Sequence, residues 1–381
     1  MSTSFTVREG KILLYHLFDV ADSISLEHFR QNWMGESTLI KLVSRRAAPY
    51  YLQFGTSPLL LPLGRKPLQI RPDQPEIDAE VNIKVFEFGV VSICWEIPMP
   101  AEWDEAVKDA LHFIDNSTIE EQSRELLKTI RPVMEPSLDK PYEEALIEDY
   151  TIFYVKHFEG HAPKAEVVLE QLGPDIASML RGESKPLSAA ERELILSQRL
   201  SYFEDDLVVL AWNSAFIYDP ESSNEHVDML EFANAELLEL RSYDSLLDRE
   251  LKQIYHVIEQ QTPGKWVVPI FSNPYQEATQ KLMTLVLDVL ELTDKIENSL
   301  KIIGELYSAR VYRLMSSVLR LNEWQNRVDG KLNNARQIFD TLNHEVQNRR
   351  STLLEITIIL LIAFEIVLFI FPMIFPAMPK H

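Results

Sequence analysis

Asn82-Ile-Lys-Val-Phe-Glu-Phe-Gly89-Val-Val-Ser-Ile-Cys-Trp-Glu-Ile97 alternates apolar and polar side chains on either side of one glycine. A period of two is that of a strand with one buried face, so the run reads as two paired strands joined at Gly89. Working outward, Lys11 to Phe18 and Tyr150 to Phe158 read as further strands, and Tyr50 to Phe54 and Pro58 to Leu63 as strand candidates around Gly55. Asp206 to Tyr218 reads as a strand or hairpin. Between them lie helical stretches: Ser25 to Trp33 with Ser25 placed to cap it, Ala101 to Ile114 after Pro100, Thr118 to Ile130, and residues 164–181. Ser188 to Arg199 is a further helix, opened by a Ser188/Glu191 capping box. The loose β-α-β-β-α-β order predicts an α+β head over residues 1–220, a small mixed or antiparallel sheet covered on one face by helices.

Beyond Pro220 the period changes. Ser222 and Glu225 form a second capping box, followed by an apolar stripe through Val227, Leu230, Ala233, Leu237, Leu240, Leu247, Leu251, Ile254 and Ile258. Thr262-Pro-Gly-Lys265 ends that helix, and another is expected from about Tyr275 to Arg320. Asn322 and Gln325 supply a third capping signal and place a break near Leu321. Val328, Leu332, Ala335, Phe339, Leu342 and Val346 then repeat in a 4,3,4,3 pattern that runs on through Leu353, Ile356, Leu360 and Ala363. Residues 221–350 therefore read as a long helical hairpin or coiled-coil-like stalk, packed either back on itself or against another copy.

The stripe runs into an apolar stretch. From Ile356 to Phe371 only Thr357 and Glu365 are not apolar, and Pro372 follows. Insertion of so many apolar residues is favourable by about 6 kcal/mol, against about 3 kcal/mol for the acid, so residues 351–372 read as one transmembrane helix with a distal tail at 373–381. A buried helix in an oligomer core is the competing explanation. Arg349 and Arg350 precede the span, which by the positive-inside rule places the amino-terminal bulk in the cytoplasm. No cleavable signal or transit sequence is visible in Met1 to Phe18.

The net charge of −21 is unevenly spread. Residues 1–224 hold 21 Lys or Arg and 37 Asp or Glu, net −16, whereas 301–350 hold nine basic and five acidic residues, net +4. The acidic head disfavours direct nucleic-acid contact, and Arg327, Lys331 and Arg336 mark a basic stalk face. One cysteine, Cys94, excludes an intramolecular disulfide and a cysteine-built metal site. Neither GxxxxGK[ST] nor GxGxxG occurs among 11 glycines. His157 and His161 have helical ligand spacing, but Gly160 and Pro163 make their surroundings a loop, and Glu204-Asp-Asp206 sits at a turn. No cofactor, resident metal or catalytic residue is read from the chain. Glu365 is the ionisable residue whose placement demands a reason: it falls off the heptad seam and is the first candidate for contact with a membrane partner or another copy.

Phe86-Glu-Phe-Gly-Val-Val91, Leu230-Glu-Phe-Ala-Asn-Ala-Glu-Leu-Leu-Glu-Leu-Arg241, Val328-Asp-Gly-Lys-Leu332 and the terminal apolar helix with its acid resemble the required-for-meiotic-nuclear-division family. The resemblance implies a membrane-anchored, non-catalytic, self-assembling protein, in mitochondrial members one that supports or tethers the translation machinery. Without a transit sequence it implies a bacterial member, at the inner membrane. The expected function is thus a tail-anchored scaffold that oligomerises through its stalk and holds a protein or ribosome partner at the membrane. The alternative is a metal- or small-molecule-dependent membrane-bound enzyme with its site in the acidic head.

Overall fold

The computed structural model describes residues 5–40, 52–54, 56–160, 162–222, 224–259, 279–287, 289–290, 300–302 and 306–374. The chain divides into two compact units, Met1–Tyr243 with Glu291–Asn326, and Asp244–Leu290 with Arg327–His381.

The first unit is built on a nine-stranded mixed sheet rather than a small one. Its strands are β1 (Val7–Ile24), β2 (Thr38–Leu39), β4 (Leu59–Leu68), β5 (Ile77–Val85), β6 (Val90–Pro98), β7 (Leu138–Phe158), β8 (Arg199–Leu200), β9 (Leu207–Leu210) and β10 (Ser214–Tyr218). Their spatial order is β2-β4-β5-β6-β1-β7-β10-β9-β8, antiparallel throughout except for the parallel pair of β7 and β10. The hairpin expected around Gly89 is present, with Val85 opposite Val91. β3 (Leu52–Phe54) pairs separately with β11 (Leu300–Ile302). The core strands run longer than their apolar centres, because β1 and β7 pair along nearly their whole length.

Alternation along β1 assigns the two faces. Ile12, Leu14 and Phe18 join the hydrophobic core with α2 (Trp103–Ala110), α3 (Ser117–Met134) and α4 (Ala165–Arg181). On that side the indole of Trp95 donates to Ser123 Oγ at 2.8 Å, and His16 Nδ1 lies 3.0 Å from the same oxygen. The Trp103 indole donates to Asp175 Oδ2 at 3.1 Å, tying α2 to α4. α1 (Leu26–Asn32) buries Leu26 and Phe29, although Ser25 at its start makes no side-chain cap. In α5 (Ala189–Ser197) the expected cap does form, with Ser188 Oγ accepting from the Glu191 N–H at 3.2 Å.

The opposite face carries α6 (Glu225–Glu259). Phe232 meets Phe86 and Phe88 at ring separations of 6.3 and 6.0 Å, and Lys84 reaches across to Asp228 and Glu231. The outer side of α6 is also occupied: Tyr312 of α7 (Leu306–Val318) donates to Glu236 Oε2 at 2.5 Å, and Arg241 lies over the Trp324 ring at 5.9 Å. The head is therefore covered on both faces, and residues Val227 to Tyr243 are buried almost all round.

The single helix expected from Tyr275 to Arg320 is interrupted by β11, Leu300-Lys-Ile302, which pairs with β3. A break does fall next to Leu321: Arg320 takes a left-handed φ of 56°, and α8 (Leu321–Ile374) begins at the following residue. The turn expected at Thr262 to Lys265 lies outside the described residues.

In the second unit Leu247, Leu251, Leu282, Val289, Val328, Leu332, Ala335 and Leu342 are all buried. The heptad positions thus mark a packing face, but one that belongs to a compact helical unit, and no coiled-coil stalk is seen among the described residues. The transmembrane expectation is likewise overturned: among the described residues no helix is long and apolar enough to cross a membrane. The anchored, single-pass, cytoplasm-facing inner-membrane placement of this chain falls with it.

The Gly89 turn tests the seating of the β5–β6 hairpin. Its carbonyl accepts from the Val20 N–H at 3.1 Å, its φ is 101°, and a Cβ there would collide with the carbonyl of Ala21. Gly89→Ala should cost about 3 kcal/mol or more, read as a lowered urea midpoint with an unchanged slope.

Candidate functional site

α6 covers only part of its sheet face. Before its first turn the chain passes Asp219, whose carboxylate accepts from the Glu221 N–H at 3.0 Å and whose carbonyl accepts from the Ser222 N–H at 3.2 Å. These bonds fold a tight corner that holds Ser222 at a left-handed φ of 57°. The expected Ser222/Glu225 capping box is absent: an N-cap needs extended backbone, and Ser222 Oγ is a buried atom without a hydrogen-bond partner.

Beside this corner the uncovered sheet forms an open groove of about 640 Å³. Its floor is crossed by three ion pairs: Lys11 with Glu96 at 3.0 Å, Lys156 with Glu9 at 2.6 Å, and the looser Arg65 with Glu80 at 4.0 Å. Lys11 also stands 5.8 Å above the centre of the Tyr154 ring. Asp78, Ser222 and Asn224 complete the lining that matters chemically.

Under α6 the same face becomes dry and remains charged. Lys84 Nζ lies 2.9 Å from Asp228 Oδ1 and 2.5 Å from Glu231 Oε2. Burial works against the ammonium, but the two carboxylates outweigh it and hold Lys84 above its ordinary range. Burial raises Glu231, with Lys84 opposing. Further along, Asp19 and Glu239 are fully buried beside one another, with no cation paired to either among the described residues. Desolvation pushes the Asp19 carboxyl up to about 8 and Glu239 well above the carboxylate range, each aggravated by neighbouring acids. The Tyr142 hydroxyl donates to Asp22 Oδ1 at 2.6 Å, Lys140 sits 3.2 Å from Asp22 Oδ2, and Glu148 pairs with Arg241. Cys94 is buried here, and its thiol is pushed up by desolvation, so it packs as an inert neutral group.

The residues singled out in the sequence are scattered. His157 lies on β7 opposite Glu9, and His161 is outside the described residues. Glu204 pairs with Lys164, and Asp206 accepts from the Tyr202 and Phe203 N–H groups at 2.6 and 3.1 Å, so this acidic run shapes a turn. Among the described residues no group of three or more His, Cys, Asp or Glu is arranged to hold a metal ion. Lys331 is committed to Asp244 at 2.6 Å and Asp248 at 2.7 Å, while Arg327 and Arg336 are exposed. Glu365 is exposed on α8, and the side chains of Arg349 and Arg350 lie outside the described residues.

Two features were missed in the sequence. The groove joins residues from β1, β4, β5, β6 and β7, so only the strand order reveals it. A second cavity of about 420 Å³ sets His28 Nδ1 3.0 Å from Ser137 Oγ, but the group on its far nitrogen is the amide of Asn32 at 3.4 Å, not an orienting carboxylate.

Residues 9–224, which contain the whole of the nine-stranded sheet apart from the start of β1, match the model described as "Uncharacterized protein MJ0711, N-terminal domain". The chain belongs to this family. It is 24% identical over 232 residues to the Uncharacterized protein MJ0711 of Methanocaldococcus jannaschii, an alignment covering 61% of this chain and 68% of that relative. No solved structure matches the chain. The resemblance to the required-for-meiotic-nuclear-division family and the bacterial assignment are corrected accordingly: the short runs that carried them are common strand and helix patterns, and the relative is archaeal.

The buried acids give a pH signature. Asp19 keeps its proton in the folded protein to about pH 8, whereas in the unfolded chain it loses it near 4, so its contribution to stability falls as pH rises across that window. His16, lowered to about 4 chiefly by burial, acts in the opposite sense, but its imidazole in the unfolded chain is already half neutral at about pH 6.5, so its opposing slope fades above that. The thermal midpoint should therefore drop between about pH 6.5 and 8, and Asp19→Asn should reduce that slope by roughly 1 kcal/mol per pH unit, measured by calorimetry.

Proposed function

We propose that the protein is a non-catalytic, self-assembling scaffold whose copies associate through the apolar end of α8. The observation that carries this is the run Leu354–Ile366, in which Leu354, Ile356, Ile358, Ile359, Leu360, Leu361, Ile362, Phe364 and Ile366 are all exposed. These side chains present on the order of 900 Å² of apolar surface per copy, near the ~800 Å² each partner contributes to a stable interface. An amphipathic helix would leave one polar side for water. This one is apolar on every side apart from its two acids and Thr357, a pattern that calls for neighbours all round. A second copy supplies the same uncovered surface at equal concentration and permits closed symmetry, so a bundle of identical helices satisfies it. Assembly raises the local concentration of whatever the acidic heads hold, without new chemistry.

The family match ends at residue 224, before α6, so the shared sheet and the assembling helix are separate parts of the chain. Light scattering on the full-length protein at about 10 μM, several times a micromolar dissociation constant, should return an oligomer. Replacing Leu354, Ile358 and Leu361 together by Ser should shift it toward monomer without changing the melting of the head. A wild-type monomer would overturn the proposal, as would wild-type protein recovered with lipid vesicles instead of with other copies.

A further inference from the structure

The apolar end of α8 carries acid and no base. Between Ser351 and Ile374 the titratable side chains are Glu355 and Glu365, and no Lys, Arg or His occurs in that stretch. The nearest bases before it, Arg349 and Arg350, precede Glu355 by six and five residues, more than one helical turn. Both carboxylates are exposed in the single chain, each set among apolar side chains of the same run. One turn along the helix, Ile358 and Ile359 neighbour Glu355, and Leu361 and Ile362 neighbour Glu365. A surface that covers those apolar residues therefore takes the adjoining carboxylate out of water with them.

What closes over a carboxylate decides its charge. In a bundle of identical helices every neighbour is a copy of the same run, and a copy brings the same two acids and no cation. The acids meet in either direction of packing. They lie five residues on each side of Leu360, the middle of Leu354–Ile366, so an antiparallel pair centred there sets Glu355 level with Glu365. A parallel pair sets each acid level with its own kind. An ionised carboxylate buried without a cation is so unfavourable that it takes up a proton instead. Associated copies thus hold more protons than separate ones, and association strengthens as pH falls. We propose that self-assembly through α8 is a proton-coupled switch, in which copies associate as Glu355 and Glu365 are neutralised and part as they ionise. The switch rests on the assembly proposed for this helix and supplies its control.

Light scattering on the full-length protein over a concentration series at about pH 7.5 and about pH 5.5, at a fixed ionic strength of about 0.1 M, tests it. Each proton taken up on association changes the dissociation constant by up to about tenfold per pH unit, so the wild type should associate at least about tenfold more tightly at the lower pH. The double variant Glu355→Gln with Glu365→Gln is neutral at either pH and favours helix as glutamate does. It should associate at the higher pH as tightly as the wild type does at the lower one, and lose the pH dependence. A wild-type oligomer of equal affinity at both pH values would overturn the switch and leave self-assembly standing. Wild-type monomer at both would overturn self-assembly, and the switch with it. An undiminished pH dependence in the double variant would overturn the switch in favour of a general loss of repulsion between acidic chains.

Discussion

The first unit depends on one buried cation. Lys84 rises from β5 into a space where the ammonium would be intolerable alone, and Asp228 and Glu231 from one turn of α6 close around it. Removing one member of such a group strands the others in a dry interior, a loss of about 3–5 kcal/mol. The contact is directional where the surrounding Phe86, Phe88 and Phe232 contacts are not, so it sets which turn of α6 lies over which strand. Once that register is set, Arg241 falls beside Glu148, and Glu239 falls beside Asp19. The second of these meetings is unfavourable unless protonated, and the helix is nonetheless held there.

How much of this could be read from residue order follows from the range of the interactions. Alternation around Gly89, the apolar run from Lys11, the Ser188 cap and the hairpin ending at Tyr218 are local, and each element forms where its pattern lies. What the sequence could not show is which strands become neighbours. β1 sits between β6 and β7, and β10 joins β7 in parallel, so a nine-stranded sheet arises where local order suggested a small one. The groove shares that invisibility, since Glu80 and Glu96 become opposed only through pairing of β5 with β6. Ser222 misled for a different reason: the capping-box spacing is satisfied, but Asp219 takes the corner first and turns the serine into the left-handed region.

The helical stripe after residue 220 shows what periodicity cannot decide. Val227 to Leu240 and Val328 to Leu342 are buried as the spacing requires, yet burial at helical period is equally the mark of a stalk and of a helix sunk in a globular unit. The difference lies in the polar positions. Glu231, Asn234 and Glu239, which a stalk would turn to water, are themselves buried, and a helix with so many enclosed polar groups has protein on every side. Those residues were present in the sequence and carried the signal. A charged residue in a helix ordinarily marks its solvated face, so their burial becomes legible only when the packing on both sides of the helix is known.

The excess of acid in this chain is handled in three ways within one sheet face. Where α6 supplies a buried ammonium partner, as at Glu231, the charge is compensated in place. Where none is available, as at Asp19 and Glu239, desolvation keeps a proton on the carboxyl, and stability becomes tied to pH. Where α6 stops and water reaches the floor, neither device operates: Glu96 is met by Lys11 at 3.0 Å, Glu80 by Arg65 only at 4.0 Å, and Asp78 makes no ion pair among the described residues. The corner at Asp219 decides where that change falls, because it fixes the first turn of α6 and thereby the boundary between the dry and the open halves of the face. A helix starting a turn earlier would cover the groove floor and impose on its acids the desolvation that acts on Asp19 and Glu239. The groove is thus a consequence of where α6 begins, and its negative character is what remains when a strongly acidic sheet runs beyond the helix that neutralises it.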